Sequence, residues 1–296
     1  MEPAAIIIEH FTKRYGAREA VHDLSLEVPA GSIFGLLGQN GAGKSTTIKT
    51  LLNLLQPTSG RLRVLGMDCT ADSVAVRRRV GYLPEESCYY PWMTVDEIVS
   101  FNSAFYETWD SALAASLLKR LELPRARRLR ELSRGMQAKV GLAMALSSRP
   151  ELLILDDPTS GLDPVVRHEF LEAMIGNVQA EGGTVFFSTH MLHEMERVAD
   201  EVAILHEGRL RVRAPLDRLK DSTRKLRAVY PVSVPETFPL PDIVRVERNS
   251  HQVLLTVSGF DASMPAALRD HGAESVEVID LSLEEIFVET VKGARS

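Results

Sequence analysis

The pattern of apolar and polar positions predicts buried strands alternating with helices in the first two thirds of the chain. Apolar runs with few interruptions at 33–37, 152–155 and 184–188 are typical of parallel strands that are buried on both faces. Positions 46–55 instead repeat apolar residues at helical spacing. A further core strand is predicted at 80–84, after a short basic helix at 74–79. We therefore predict an α/β core built on a parallel sheet.

Two further patterns predict additions to this core. Apolar residues alternate with polar ones through 6–28 and again at 61–65, which indicates antiparallel strands and an edge strand. The stretch 86–150 contains no convincing strand, and helices are predicted at 94–106 and 110–121. Thr94 is the expected N-cap of the first, with Glu97 completing a capping box. We interpret 86–150 as a helical subdomain inserted into the core.

The last third of the chain predicts a separate, smaller domain. A hairpin is expected around Glu207 and Gly208, and the polar segment 216–224 is interpreted as a linker that ends the larger domain, 1–215. The segment 225–296 is predicted to be an α+β accessory domain, because it alternates strand-like and helical runs. It carries no phosphate loop, nucleophile arrangement or metal cluster. We expect a structural or regulatory role for it. Its predicted strands lie at 226–230, 243–247, 253–257 and 275–279, and its helices at 262–270 and 282–291.

Composition excludes several classes of protein. The formal net charge of -6 over 296 residues argues against a surface that coats nucleic acid. The basic clusters at 77–79 and 125–130 are short, and we interpret them as solvated faces, with a partner or anionic lipid as the alternative. No apolar run approaches the roughly 20 residues of a membrane helix, and the N-terminus lacks the basic start of a secretion signal.

The cysteine and histidine residues are not spaced along the sequence as metal ligands. Cys69 and Cys88 match no metal or redox spacing, and the 8 histidines form no cluster along the chain. Two isolated cysteines are typical of a reducing compartment, so we expect a cytoplasmic location.

The sequence GQNGAGKST at 38–46 predicts a phosphate-binding loop. It fits the pattern G-x-x-x-x-G-K-[ST] and stands between a predicted buried strand and a predicted helix. The glycines let backbone N–H groups turn towards phosphate, and the start of the helix favours the same anion. A flexible turn is the alternative, but a lysine at a helix start is unfavourable unless an anion lies there. We expect a nucleotide to contact Gly38, Asn40, Gly41, Ala42, Gly43, Lys44, Ser45 and Thr46, with Lys44 on the outer phosphates and Ser45 on Mg²⁺.

Polar residues follow two other predicted core strands and complete a candidate nucleotide-binding site. Asp156 and Asp157 end the apolar run at 152–155, and His190 follows the run at 184–188. Carboxyl ends of parallel strands meet at the ligand edge of an α/β sheet. Asp156 is therefore a candidate Mg²⁺ ligand, Asp157 a candidate for polarising water, and His190 a candidate for reaching the γ-phosphate. Acidic strand ends that merely begin a turn are the alternative interpretation. Upstream, Tyr15 could stack on adenine or simply pack.

These motifs, together with LSRGM at 132–136, resemble the ATP-binding subunit of ABC transporters over about residues 4–215. The resemblance implies an ABC-type P-loop NTPase fold with an antiparallel β subdomain and a helical subdomain, and ATP and Mg²⁺ as ligands. Tyr15 then matches the adenine-stacking aromatic, and His190 the switch histidine. Glu85 matches the Q-loop, with a catalytic role and an oxygen for Mg²⁺. Ser133 and Gly135 match the signature, and Asp163 the D-loop, both of which close over ATP held by another subunit.

Four positions depart from the family pattern. Arg134 and Met136 replace a glycine and a glutamine of the signature, and Glu85 replaces the glutamine of the Q-loop. Asp157 stands in the place of the catalytic glutamate and is shorter by one methylene, about 1.5 Å. Misplacement of about 1 Å can slow a reaction about a hundredfold. The resemblance therefore implies ATP binding and dimer closure, with hydrolysis that is slow or uses a second, bridging water.

The resemblance predicts a subunit that works with a separate membrane permease. It implies a homodimer or heterodimer around ATP, located at the cytoplasmic face of the membrane, and no nucleic-acid partner. The C-terminal segment, which ends in LEEIF, looks similar to the extra domain of ABC-2 exporters, which suggests export. One alternative is a degenerate, regulatory subunit with little hydrolysis. Another, ranked lower, is a soluble ABC-type ATPase, because such proteins usually carry two cassettes, long coiled coils or zinc modules.

Overall fold

The computed structural model describes residues 4–86 and 89–293. The prediction for Cys88 lies outside these residues. Contacts group the described residues up to Met191 with Leu205–Leu210 in a first unit. The second unit contains Leu192–Ile204 and the described residues from Arg211 onwards.

An antiparallel sheet opens the first unit, as the alternating pattern predicts. Strands β1 and β2 are followed by the first core strand, β3, and the helix α1, after which the chain returns to pair with β1. Apolar residues on β1, such as Ile6, Ile8 and Phe11, are fully or almost fully buried. The strand order is β2-β1-β4-β5. The elements are β1 (Ala4–Tyr15), β2 (Arg18–Pro29), β3 (Ile33–Leu37), α1 (Lys44–Leu51), β4 (Ser59–Val64) and β5 (Met67–Asp68).

The parallel strands of the core carry the site. Helix α2 (Ser73–Arg79) leads into β6 (Val80–Leu83), and β7 (Leu152–Asp156) and β8 (Thr184–Thr189) come later in the chain. Within the first unit the order is β3-β8-β7-β6, and each of these pairs is parallel. Every residue of β3, β7 and β8 is buried, which explains their apolar composition. Their carboxyl ends meet at one edge of the sheet, because parallel strands run in the same direction.

Helices fill the segment between β6 and β7. Thr94 caps α3 in the predicted capping box: its Oγ1 accepts from the Glu97 N–H at 3.2 Å, and its own N–H donates to Glu97 Oε2 at 2.7 Å. Asp110 caps α4 by accepting from the Leu113 N–H at 2.8 Å. Among the described residues of 86–150, the only β pairing is an isolated bridge between Thr94 and Arg128. The helices are α3 (Val95–Ser103), α4 (Ser111–Arg120), a 3₁₀ turn (Leu129–Glu131) and α5 (Arg134–Ser147), and α6 (Pro164–Glu181) follows β7.

The second unit contains a four-stranded antiparallel sheet in the order β12-β13-β11-β14. Leu226, Leu255, Val257 and Leu268 are buried in its core. The strands β9 and β10 include residues of both units. The elements after β8 are α7 (Leu192–Val198), β9 (Glu201–His206), β10 (Arg209–Pro215), α8 (Leu216–Ser222), β11 (Arg224–Val229), β12 (Ile243–Arg248), β13 (Gln252–Val257), α9 (Met264–Asp270), β14 (Ser275–Asp280) and α10 (Leu283–Gly293).

The segment interpreted as a polar linker, 216–224, is largely helical. Residues Leu216–Ser222 form α8, and Leu216 and Leu219 are buried three positions apart on one face. The polar residues around them occupy the outer face, which hid the helical spacing in the sequence. The division into domains at this segment stays a prediction. Across the part of the chain that the structure describes, no helix combines the length and apolar character needed to span a membrane.

Candidate active site

A cleft of about 450 Å³ lies at the carboxyl edge of the parallel strands. The loop between β3 and α1 forms its floor, and the start of β2 forms one wall. Glu85, after β6, and Asp157, after β7, also reach it. The complete lining is Tyr15, Arg18, Ala20, Asn40, Gly41, Ala42, Gly43, Lys44, Ser45, Thr46, Glu85 and Asp157.

The backbone of the loop requires glycine at Gly43. Its φ of 107° is in the region that favours glycine, and an added Cβ would stand 2.7 Å from the carbonyl oxygen of Ala20. Gly43 precedes the first residue of α1 and offers no side chain to cap the helix. The first N–H groups of a helix have no partner inside it, so this end of α1 is suited to bind an anion.

Lys44 is almost fully buried at the base of the loop. Its ammonium group donates to the carbonyl oxygens of Gly38 at 2.7 Å and Gln39 at 3.3 Å. Gly38 thus lies beneath the cleft rather than on its surface. Burial lowers the pKa of Lys44, and the nearby carboxylates of Asp157, Asp156 and Glu85 oppose that shift. A bound phosphate would compensate for the desolvation of this cation.

Asp156 and Ser45 bring two oxygen ligands together from distant parts of the sequence. Ser45 Oγ donates to Asp156 Oδ1 at 3.0 Å, and Ser188 Oγ donates to the same oxygen at 2.8 Å. Burial raises the pKa of Asp156, while these two hydrogen bonds lower it. Among residues 4–86 and 89–293, no three His, Cys, Asp or Glu side chains are arranged to hold a metal. Mg²⁺ usually takes only one or two protein ligands beside substrate phosphates, and this pair fits that requirement.

Asp157 is held in place by the neighbouring strand. Its φ is 46°, uncommon for a residue other than glycine, and its N–H donates to the Ser188 carbonyl at 3.0 Å and to Ser188 Oγ at 3.1 Å. Its Oδ2 lies 2.6 Å from Nδ1 of His190, and Thr189 Oγ1 donates to its other oxygen at 3.5 Å. The carboxylate is 5% exposed and lines the cleft, so it can accept a proton from a bound water there.

Glu85 lies where two clefts meet. It lines the cleft of the loop and a second one of about 370 Å³, which Arg134, Gln137 and Ser160 also line. Desolvation raises the pKa of Glu85, and the charges of Asp157 and Asp156 raise it further. The carboxylates of Glu85, Asp156 and Asp157 all lie close enough to act electrostatically on the ammonium group of Lys44.

Tyr15 stands at the mouth of the cleft with 47% of its surface exposed. Lys13 Nζ lies 5.2 Å from the ring centroid and donates to the Gln56 carbonyl at 2.6 Å, which fixes a cation over one ring face. Arg18 lines the same wall, and sequence reasoning missed it. A basic residue three positions after Tyr15, across a tight turn, was the available signal.

The predicted signature and D-loop residues do not line the cleft of their own chain. Ser133 caps α5 by accepting from the Met136 N–H at 3.2 Å. Asp163 accepts from the N–H groups of Val165 at 3.1 Å and Val166 at 3.0 Å, at the start of α6. Gly135 packs so closely that an added Cβ would lie 3.1 Å from Val166 Cγ1.

Known proteins with similar sequences are transport ATP-binding proteins. A family model described as "ABC transporter" matches residues 21–160. The bacitracin transport ATP-binding protein BcrA of Bacillus licheniformis is 37% identical over 216 residues, 72% of this chain and 71% of that protein. The Nod factor export ATP-binding protein I of Burkholderia orbicola is 38% identical over 71% of this chain and 70% of that protein. YtrB of Bacillus subtilis is 26% identical and covers 98% of this chain and 99% of that protein.

Solved structures share the fold of the larger part of the chain. An ATP-binding subunit of an ABC transporter superposes with a TM-score of 0.67 and 31% identity, covering 73% of this chain and 92% of that one. A dimeric, post-hydrolysis state of the ATP-binding cassette MJ0796 with ADP and Pi gives a TM-score of 0.65. At 22% identity over 71% of this chain and 98% of that one, it shows the fold alone.

Proposed function

Since the chain belongs to the ATP-binding proteins of the ABC transporter family and has their ATPase fold, we propose that it hydrolyses MgATP to drive transport through a separate permease. One observation carries the proposal. The ends of β7 and β8 place Asp156, Asp157 and His190 beside the loop that holds Lys44 and Ser45. The cation of Lys44, the proposed metal ligands and the proposed water-polarising carboxylate then lie at one edge of the sheet.

In this proposal, the phosphates of ATP lie against the backbone N–H groups at the start of α1 and against Lys44. Ser45 and Asp156 would hold Mg²⁺, and Glu85 would supply a further oxygen ligand. When bound there, Mg²⁺ would supply positive charge to offset the charge on the phosphates. The base stacks on the face of the Tyr15 ring that Lys13 leaves open.

Asp157 is proposed to polarise the attacking water, and His190 to keep it in place. A neutral His190 that donates from Nδ1 to the Asp157 carboxylate presents Nε2 as an acceptor, which fixes its tautomer. The aspartate is one methylene shorter than the glutamate usual in the family, so the water is contacted directly or through a second water. A carboxylate already engaged by His190 also supports a second candidate function, an ATP-binding regulatory subunit with little hydrolysis of its own.

Dimerisation is proposed because one chain does not complete the site. Ser133, Gly135 and Asp163 lie outside the cleft formed by their own loop, although the family pattern assigns them to ATP. A second subunit, identical or related, would bring its Ser133 and Gly135 to the phosphates. The MJ0796 cassette, which shares this fold, is described as dimeric.

We propose that the exposed aromatic residues of the helical segment bind the permease. Trp92 and Phe105 are 61% and 60% exposed, and Tyr90 contacts both Trp92 and Phe101, at centroid distances of 5.2 and 5.7 Å. Contiguous exposed apolar side chains mark interaction surfaces. Docking there would hold the subunit at the cytoplasmic face of the membrane. The named activities of the relatives, bacitracin transport and Nod factor export, favour export as the direction.

Phosphate release from the purified chain with MgATP tests the proposal. Lys44→Ala serves as the blank, and Asp157→Glu restores the usual carboxylate length. Turnover by wild type above the blank supports a working Asp157. Wild type equal to the blank, with turnover by Asp157→Glu, favours the regulatory subunit instead. If neither releases phosphate and wild type fails to retain ATP on a filter, both candidate functions are wrong.

A further inference from the structure

Arg18 occupies the wall of the cleft that faces the phosphate-binding loop. It is the first residue of β2 and pairs with Tyr15 in the register of the antiparallel ladder, so the two side chains leave neighbouring strands at the same level. Its Nη2 is 3.6 Å from the position that a Cβ on Gly41 would take. The guanidinium group is therefore beside the outer turn of the loop.

The charge of Arg18 has no partner among the residues that the structure describes. The acid nearest to it in sequence, Glu19, is already engaged: Arg14 pairs with its Oε1, and His22 Nε2 lies 3.4 Å from its Oε2. Arginine is suited to bind phosphate because its planar group can donate two parallel hydrogen bonds. The Arg18 guanidinium has no partner in the described part of the chain and lies in a cleft whose floor is a phosphate loop. It can therefore donate its hydrogen bonds to a bound phosphate.

We propose that Arg18 binds the phosphate chain of the nucleotide, opposite the N–H groups of the loop. The proposal rests on the proposed ATP-binding function and assigns to that site a phosphate-binding residue that its motifs do not include. Lys44 holds the phosphates from below and Arg18 from the side, so the chain is held between two cations while Tyr15 holds the base.

Equilibrium titration with MgATP tests the assignment, using wild type, Arg18→Ala, Arg18→Lys and Lys44→Ala. Arg63→Ala is the matched control, because it removes an exposed arginine from β4 of the same antiparallel sheet, outside the cleft. We expect Arg18→Ala to bind ATP about 10- to 100-fold more weakly, the usual effect of losing a charged hydrogen bond. Arg18→Lys should recover part of the loss, and Arg63→Ala should match wild type. Melting temperatures verify that each variant is folded.

A double-mutant cycle with Tyr15→Ala separates a phosphate contact from an effect through the ring. If the two side chains contact ATP independently, their effects on ATP affinity multiply. Arg18→Ala should then weaken ATP binding by the same factor with or without Tyr15. If Arg18→Ala costs nothing once Tyr15 is absent, Arg18 acts only through the ring and the assignment is wrong. The assignment is also wrong if Arg18→Ala binds ATP as tightly as wild type does, while Lys44→Ala binds it more weakly. If wild type and Lys44→Ala both fail to bind, the proposed function fails as well.

Discussion

Nδ1 of His190 lies 2.6 Å from Oδ2 of Asp157, although 33 positions separate the two residues in the chain. Each follows the end of a core strand, β7 or β8, and these strands pair in parallel with Asp156 opposite Ser188. The contact joins the candidate base to the residue that fixes its orientation.

Replacing His190 by alanine should slow ATP hydrolysis much more than it weakens ATP binding. Positioned acid–base groups contribute about 10²- to 10⁴-fold to rates, and we expect a loss in this range in phosphate release. Affinity for MgATP should stay within about threefold, because His190 does not line the cleft. His168→Ala is the control: it removes an exposed histidine of α6 that pairs with Glu172. Turnover by His190→Ala within twofold of wild type would contradict the role of this contact.

Gly43→Ala should abolish tight ATP binding through a backbone collision. Its Cβ would meet the Ala20 carbonyl at 2.7 Å and Val21 Cγ2 at 3.0 Å, at a φ of 107°, so the loop or β2 must move. We expect at least a tenfold loss in affinity, measured by titration with MgATP.

Gly66→Ala separates this collision from backbone strain alone. Gly66 has a φ of 78° but open space around it, so alanine there carries only the strain of about 1–2 kcal/mol. We expect its ATP affinity to equal that of wild type. A similar loss of affinity in both glycine variants would show that the close approach to Ala20 is unimportant.

Glu289→Ala should destabilise the second unit. Glu289 is almost fully buried on α10, and its two oxygens lie 2.9 Å from Lys225 Nζ and 3.4 Å from Arg245 Nη1. Its removal takes a buried counter-charge away from two partly buried cations, so we expect a loss of about 3 kcal/mol in the free energy of unfolding, measured with urea. Asp280→Ala, which removes an exposed carboxylate from beside Arg224, should cost less than about 1 kcal/mol. Equal losses of unfolding free energy in the two variants would show that burial of the carboxylate does not increase its contribution to stability.

The cap of α4 should contribute stability that is lost in acid. The Leu113 N–H, and then Arg149, lower the pKa of Asp110, so its contribution is complete above the unfolded value of about 4 and disappears as the pH falls below it. Asp110→Asn can still accept the Leu113 N–H but carries no charge for Arg149. The difference in melting temperature between wild type and Asp110→Asn should therefore shrink between pH 6 and pH 3. A difference independent of pH would rule out this linkage.

Local patterns were sufficient for the elements that are decided locally. The predicted ABC ATPase fold is confirmed, and strands β3, β7 and β8 follow from apolar runs because they are buried on both faces. The Thr94 capping box was predictable because its hydrogen bonds join residues three positions apart. Helix α8 was missed because only Leu216 and Leu219 are buried, and two apolar residues among polar ones are also typical of a linker.

The sequence by itself determined the phosphate loop, the succession of core strands and helices along the chain, and the residue types available for chemistry. It could do so because glycine conformations and strand burial depend on near neighbours. Only the tertiary structure decided which groups lie close together: Ser45 with Asp156, Asp157 with His190, and Arg18 with the turn at Gly41. Those contacts depend on strand order and register, which are set by packing between segments far apart in the chain and leave no local pattern.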